Sequence, residues 1–506
     1  MNSSLATRHS PLGLLTFVPA LIAAIILIAA NSYYLWEWRA DQLSGDAMIH
    51  LVFARNFAEG RWFEYSLGQP SRANTTILWE WILVVLGVLT GQIRSNEGFM
   101  TVARIFAMLC VAFTGWRLYV WGRAAQLGAS VAALLAVFVL LNPVVFYWTA
   151  VNPMETCMTL VFATALSMWL WREAQNGDPA RPWRAGLIGG LWVFALSLIR
   201  PEMLPLGGVA ALAFLFGQGR QRWPVALMLV AVPLVLTALQ ALFLSLTGVP
   251  IVPTPNTARR LIALKYDTTS LLGVPINPDA WTMLLSWSPL LLGALFLAFR
   301  GTKNDRPSAY FALGVCAWSA LFFSLYYYTT WQGRYMVPSI IALSVPALAA
   351  LHRAIPPNIG WIAGPAYAFV LCFLLLRPLA AYADAPNQRA LATEFVPPPD
   401  DARVFLVQEV QSAYFFPHLQ HISTEGLITP EAHEAYKRGL TLYEFIMELR
   451  PDLISFGRYY LDDPDGLQEK INTAALAGED LQYRDLTLTF RGQMLGAGHY
   501  FTALYR

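Results

Sequence analysis

Residues 223–247 read WPVALMLVAVPLVLTALQALFLSLT, a run without one charged side chain. As a helix it would extend roughly 37 Å, more than the hydrocarbon core of a bilayer, about 30 Å. Comparable runs recur at 11–31, 100–122, 129–148, 154–171, 186–200, 203–218, 281–299, 309–329, 338–352 and 359–379. The pattern predicts a polytopic α-helical membrane protein of about eleven spans. Composition agrees: of 506 residues 56% are hydrophobic and 13% charged, with a mean hydropathy of +0.47, too apolar for a soluble globule. A net charge of +2 gives no reason to expect a nucleic-acid partner. Cys110, Cys157, Cys316 and Cys372 all fall within apolar segments, where a thiol behaves as a small hydrophobe, and they imply no disulfide framework. Arg8 and His9 precede an apolar stretch from Pro11 to Ala30, too long for a signal-peptide core and without a clear cleavage site, so it reads as a retained signal anchor.

Loop charge orients the spans. With a cytoplasmic N-terminus, alternate loops hold Arg123; Arg172, Arg181 and Arg184; Arg220 and Arg222; Arg300, Lys303 and Arg306; and His352 and Arg353, which satisfies the positive-inside rule. The opposite loops hold Asp46, NPMET at 152–156, RPE at 200–202, PNTARR at 255–260 and WQGRYM at 331–336. This parity requires 76–91, TILWEWILVVLGVLTG, to re-enter or lie in the interface, with Trp79 and Trp81 at headgroup depth. Residues 1–381 thus form a membrane domain with a first outer loop at 32–99. From 382 to 506 charges become frequent and long apolar runs stop, which predicts a soluble α/β domain on the extracytoplasmic side. ARVFLVQ, DLISFG and HYFTALYR pattern as strands, PEAHEAYKRG and LTLYEFIMELR as helices.

Ionisable groups beside a bilayer mark functional sites by default, because their desolvation must be repaid by partners or ligands. Asp46 and His50 are spaced i, i+4 on a helix through AMIHLVFARNF, read as an amphipathic interfacial helix. Asp46 suits a general base and equally suits a helix cap. Arg200, Arg259, Arg260, Lys265 and Arg334 together would suit a lipid phosphate; singly, each fits headgroup snorkelling. Trp62, Trp148 and Trp331 offer faces to sugar rings or belong to an interfacial belt. His418 and His421 lack a third ligand and read as a surface pair, and LDDPDG at 461–466 reads as turn chemistry, so no metal site is expected. No Walker A and no GxGxxG between a strand and a helix is present, so a sugar donor would arrive already attached to lipid.

The order GDAMIHLVFARNFAEG, NPMET, RPE, PNTARRLIALK, GRYMVP, STEGLITPE and LRPDLI resembles the GT-C membrane glycosyltransferases, and within them the terminal arabinofuranosyltransferase branch of mycobacterial cell-wall assembly. The corresponding family stretches read approximately DDAYI…RYARNLADG, SGMET, RPEG, PNTFYAK and RYFVP. The resemblance implies a GT-C fold, a polyprenyl-phosphate-linked sugar, foremost arabinofuranose, as donor, and a glycan or other cell-envelope acceptor. It implies a bacterial inner-membrane enzyme with its site facing the periplasm and no certain cofactor beyond the donor itself. Position by position, it makes Asp46 the catalytic carboxylate. Arg55, Arg200, Arg259, Arg260, Lys265 and Arg334 become candidates for the donor phosphate, and His50, Asn56, Glu155, Glu202, Asn256 and Tyr335 for sugar or acceptor. Gly45 stands where the family has its first acid, and Ser423 where the outer domain often has aspartate. Alternatives are another sugar, such as a hexose or aminoarabinose, placed on lipid A, O-antigen or protein, and a non-catalytic transporter or glycan-binding protein. Transporters more often show repeats and ionisable groups at the midplane, whereas these collect at one rim.

Overall fold

A computed structural model describes residues 45–66, 68–71, 76–141, 145, 148–149, 152–178, 180–249, 251, 270–271, 274–275, 287–326, 333–354, 403–407, 412–415, 419–423, 431–440, 445, 448–449, 453–456, 481–483, 486–490 and 500–505. The expected spans 11–31 and 359–379, and Asn256, Arg259, Arg260, Lys265, Trp331 and Cys372, lie outside the described residues. In chain order the principal helices are α1 (Gly45–Ala58), α2 (Ile77–Leu89), α3 (Asn96–Ala124), α4 (Ala129–Leu141), α5 (Thr156–Asn176), α6 (Pro182–Ile199), α7 (Leu206–Gln218), α8 (Trp223–Leu246), α9 (Ser288–Arg300), α10 (Arg306–Tyr326) and α11 (Val337–Ala354). Two short helices follow, α12 (Ser412–Phe415) and α13 (Glu431–Lys437).

Among the described residues, Asn96–Ala124, Pro182–Ile199 and Arg220–Leu246 are long and apolar enough to cross a membrane. The outward side of α8 exposes Leu234, Val235, Leu239, Leu242 and Phe243, the apolar surface a lipid-facing helix needs. Its inward side packs on α6 and α7 through small residues. A Cβ on Gly190 of α6 would stand 2.7 Å from the Met228 carbonyl oxygen, so only glycine permits that approach. Pro233, inside α8, has no N–H for the carbonyl of Leu229, and that oxygen lies against Gly207 of α7, where a Cβ would stand 2.5 Å away. Further packing joins α3 with α4 and α5, α7 with α10, and α9 with α11.

The first outer loop differs from its expected form. α1 is buried on nearly every face: Ala47, Met48, Leu51, Val52, Phe53, Ala54 and Phe57 all lie in the core, as do His50, Arg55 and Asn56. It is an internal strut rather than an amphipathic interfacial helix, because His50, Arg55 and Asn56 find partners inside the protein. α2, with 13 residues, is roughly 20 Å long, short of a bilayer core. Trp81 is partly exposed, and Trp79 is fully buried in the protein. Between α1 and α2, β1 (Glu64–Ser66) pairs antiparallel with β2 (Gln69–Pro70). A second two-stranded piece, β3 (Ser270–Leu271) with β4 (Val274–Pro275), lies between α8 and α9.

The C-terminal part contains β5 (Arg403–Val407), β6 (Gln420–Ser423), β7 (Leu453–Phe456), β8 (Leu481–Tyr483), β9 (Leu486–Phe490) and β10 (Tyr500–Tyr505). They form one mixed sheet in the order β6-β5-β7-β10-β9-β8, parallel from β6 to β7 and antiparallel from β7 to β8. The crossover from β5 to β6 carries α12. His421, expected at the surface, is buried in β6, where its backbone N–H donates to Ser66 Oγ at 2.9 Å and joins the sheet edge to β1.

Candidate functional site

The helix ends that face the first outer loop carry five of the predicted residues. Glu155 directly precedes α5, Arg200 ends α6, Glu202 lies in the 3-10 turn Pro201–Met203, and Arg334 and Tyr335 form part of the 3-10 turn Gly333–Met336 leading into α11. Chain segments far apart in sequence bring these groups into contact.

His50 is the junction. Its Nδ1 lies 3.2 Å from Glu80 Oε1 and 3.1 Å from Thr76 Oγ1, both at the start of α2. Its Nε2 lies 3.2 Å from Glu155 Oε2, a close ion-pair contact. Arg200 continues the chain of contacts, with Nη1 donating to Glu155 Oε1 at 2.9 Å and Nε to Glu202 Oε1 at 2.6 Å. Burial alone would strip the proton from His50, but the hydrogen bonds and charges of Glu155 and Glu80 outweigh it and raise the pKa to about 9. At neutral pH the imidazole is therefore a cation between two carboxylates.

Two guanidiniums and an aromatic ring complete the cluster. Arg200 Cζ stands 4.0 Å from the centroid of the Tyr335 ring and Arg334 Cζ 5.5 Å from the same centroid. Arg334 also lies over Trp148 at 4.7 Å and directs Nη1 to Met154 Sδ at 3.2 Å. These stacked geometries suit arginine, whose planar cation interacts with ring faces. The Trp318 indole N–H donates to the backbone oxygen of Glu202 at 2.8 Å, fixing the turn that follows α6. His50, Arg200 and Arg334 balance Glu80, Glu155 and Glu202, so the described cluster is neutral.

The structure thus brings together His50, Glu155, Arg200, Glu202, Arg334 and Tyr335. Glu80 joins them although sequence reasoning gave it no role. An acid within a short apolar helix is the signal that points to it, because such a group must find a buried partner. Asp46 lies in the first turn of α1, one helical turn before His50 on the same face; its side chain lies outside what is described. Arg55 and Asn56 do not join the cluster. Asn56 Nδ2 donates to the backbone oxygens of Glu64 and Tyr65 at 2.8 and 3.3 Å, shaping the hairpin, and Arg55 turns toward the C-terminal sheet. Asn256, Arg259, Arg260 and Lys265 remain outside the described residues.

No family profile matches the chain. One stretch of 201 residues is 25% identical to the terminal β-(1→2)-arabinofuranosyltransferase of Mycobacterium tuberculosis, covering 38% of this chain and 31% of that protein. The match therefore spans about a third of the mycobacterial protein's length. Among solved structures, ArnT from Cupriavidus metallidurans in the apo state superposes with a TM-score of 0.55 at 14% identity over 96% of this chain and 98% of the other. The Archaeoglobus fulgidus oligosaccharyltransferase in its apo form gives 0.52 at 11% identity over 94% and 72%. AglB from the same organism, in complex with an inhibitory peptide and a dolichol-phosphate, gives 0.52 at 11% identity over 92% and 71%. The chain shares the fold of these GT-C membrane proteins.

Proposed function

We propose that this chain, a polytopic membrane protein with the GT-C fold, is a glycosyltransferase that moves a sugar from a polyprenyl-phosphate donor to an acceptor in the cell envelope. The observation that carries the reading is the buried cluster of His50, Glu80, Glu155, Arg200 and Glu202, assembled one helical turn from Asp46. Ionisable groups collected at this depth are costly to fold around and are retained where chemistry uses them. The dolichol-phosphate bound by the structurally similar AglB supports a lipid-phosphate donor. Arabinofuranose is the first sugar to test, on the strength of the stretch shared with the mycobacterial arabinofuranosyltransferase.

In this reading Asp46 takes the proton from an acceptor hydroxyl as its oxygen forms the new bond to the anomeric carbon. The bond between that carbon and the phosphate oxygen breaks, and polyprenyl phosphate leaves with the electron pair. Cations must meet the charge that develops on the leaving oxygen. Because the described cluster is already neutral, Arg200 and Arg334 orient the site, while Arg259, Arg260 and Lys265 supply the added positive charge. Glu155, Glu202, Asn256 and Tyr335 line the path of sugar and acceptor, with His50 holding Glu155 in place. The site faces the periplasm of a bacterial inner membrane, in keeping with the charge of the opposite loops.

The test uses purified protein in nanodiscs with decaprenyl- and undecaprenyl-phosphoryl sugars, arabinofuranose beside hexose and aminoarabinose. Release of polyprenyl phosphate by the wild type, lost in Asp46→Asn while donor binding persists, is expected. Equal traces with every donor would turn the reading toward a transporter or a glycan-binding protein.

A further inference from the structure

All three guanidinium nitrogens of Arg55 donate hydrogen bonds, and none of these partners belongs to the site above. Nε donates to the Ile93 backbone oxygen at 3.2 Å, Nη1 to the Tyr414 backbone oxygen at 3.0 Å and Nη2 to Asn96 Oδ1 at 2.8 Å. Its Cζ lies 4.7 Å from the centroid of the Tyr414 ring. Tyr414 Oη in turn donates to the Asn96 backbone oxygen at 2.6 Å, which closes a loop of contacts through α1, the start of α3 and α12. Both side chains are buried, and Ala413, Tyr414 and Leu419 belong to the same apolar core as α1.

A guanidinium removed from water must recover its lost hydration from fixed acceptors, and here the acceptors come from two segments far apart in sequence, 93–96 and Tyr414. The arrangement is complete only when the C-terminal sheet is seated. Tyr414 lies in the crossover between β5 and β6, two strands paired along their length, so the chain joins it to the sheet on both sides. The bond from the His421 N–H to Ser66 Oγ ties the same sheet to the hairpin that follows α1.

We infer that Tyr414 is a positioning residue: through Arg55 it fixes α1, and with it Asp46, against the helix bundle, making the C-terminal sheet part of the catalytic unit. The inference rests on Asp46 being the general base. A general base acts only within hydrogen-bond reach of its proton, so a small drift of α1 lowers turnover far more than donor affinity. An acceptor seated on the sheet would thereby have a mechanical connection to the reacting carboxylate.

The experiment compares wild type, Tyr414→Ala and Tyr414→Phe as full-length protein in nanodiscs, by hydrogen exchange and by transfer kinetics. The phenylalanine variant keeps the ring against Arg55 and drops the contacts of the hydroxyl, the bond to Asn96 among them. For Tyr414→Ala, exchange across residues 45–58 rises about tenfold while α8 is unchanged. Its kcat falls about tenfold to a hundredfold with the donor KM held within about twofold, and Tyr414→Phe lies between. Should Tyr414→Ala fail to fold, Tyr414→Phe decides on the same readouts. Unchanged exchange over 45–58 in the folded variants overturns the inference, as does an unchanged kcat despite raised exchange. If the wild type releases polyprenyl phosphate from no donor, the transferase reading is what fails; exchange alone then decides whether Tyr414 holds α1.

Discussion

The two ends of the helix bundle handle charge differently. At the far end, Arg222 Nη1 donates to Glu173 Oε1 at 2.9 Å, Gln175 reaches Asp305, and Gln218 reaches the Ala174 carbonyl oxygen at 2.7 Å. The Arg222 and Glu173 side chains are 13% and 12% exposed, and this pair fastens helix ends beside water. At the site end, Arg200 and Glu155 are each 4% exposed, Glu80 is fully buried, and every group shares partners with the next. Both ends pair acids with bases. Only one assembles a continuous buried network, and a network of that cost, lying next to the loop that carries Asp46, is the mark of a site rather than of a fastening.

The contrast is open to disruption in order of expected effect. Asp46→Asn should abolish polyprenyl-phosphate release and leave helix content unchanged, as read by product analysis beside circular dichroism. Arg200→Met leaves Glu155 and Glu202 without their shared cation and should cost about 3–5 kcal/mol of stability, measured by denaturant unfolding in detergent. His50 gives a pH signature. Its pKa is raised from an ordinary 6.5 to about 9, so the stabilisation it provides is complete below 6.5 and fades as pH climbs through 9. Thermal stability of the wild type should fall across that window, and His50→Gln should flatten the profile. Arg222→Met, at the far end, should cost no more than about 1 kcal/mol and leave turnover intact. If Arg222→Met proved as damaging as Arg200→Met, the distinction between the ends would collapse.

Much of this site could be read without coordinates. Glu155, Arg200, Glu202, Arg334 and Tyr335 announce themselves as charged or aromatic groups at the ends of apolar runs, and loop charge alone places them on one side. β5, β7 and β10 were legible because their apolar runs are dense. β6 and β8 were not, since short strands rich in polar residues carry little periodic signal, whereas the alternation in β9, LTLTF, was present and went unread. α1 misleads for a physical reason: helical spacing shows that His50, Arg55 and Asn56 are polar, but cannot show whether water or protein satisfies them. Glu80 escaped as a site member because its helix looked merely interfacial. Arg55 fits a phosphate motif in sequence, and its actual partner Tyr414 is 359 residues away, beyond anything local pattern can register.

That separation has a consequence in time. A ribosome making about 5–20 residues per second needs on the order of 20–70 s to travel from Arg55 to Tyr414. Throughout that interval α1 lacks its tie to Tyr414. If Asp46 is the general base that this tie secures, as proposed above, a chain terminated before the final sheet would reach the membrane and remain silent.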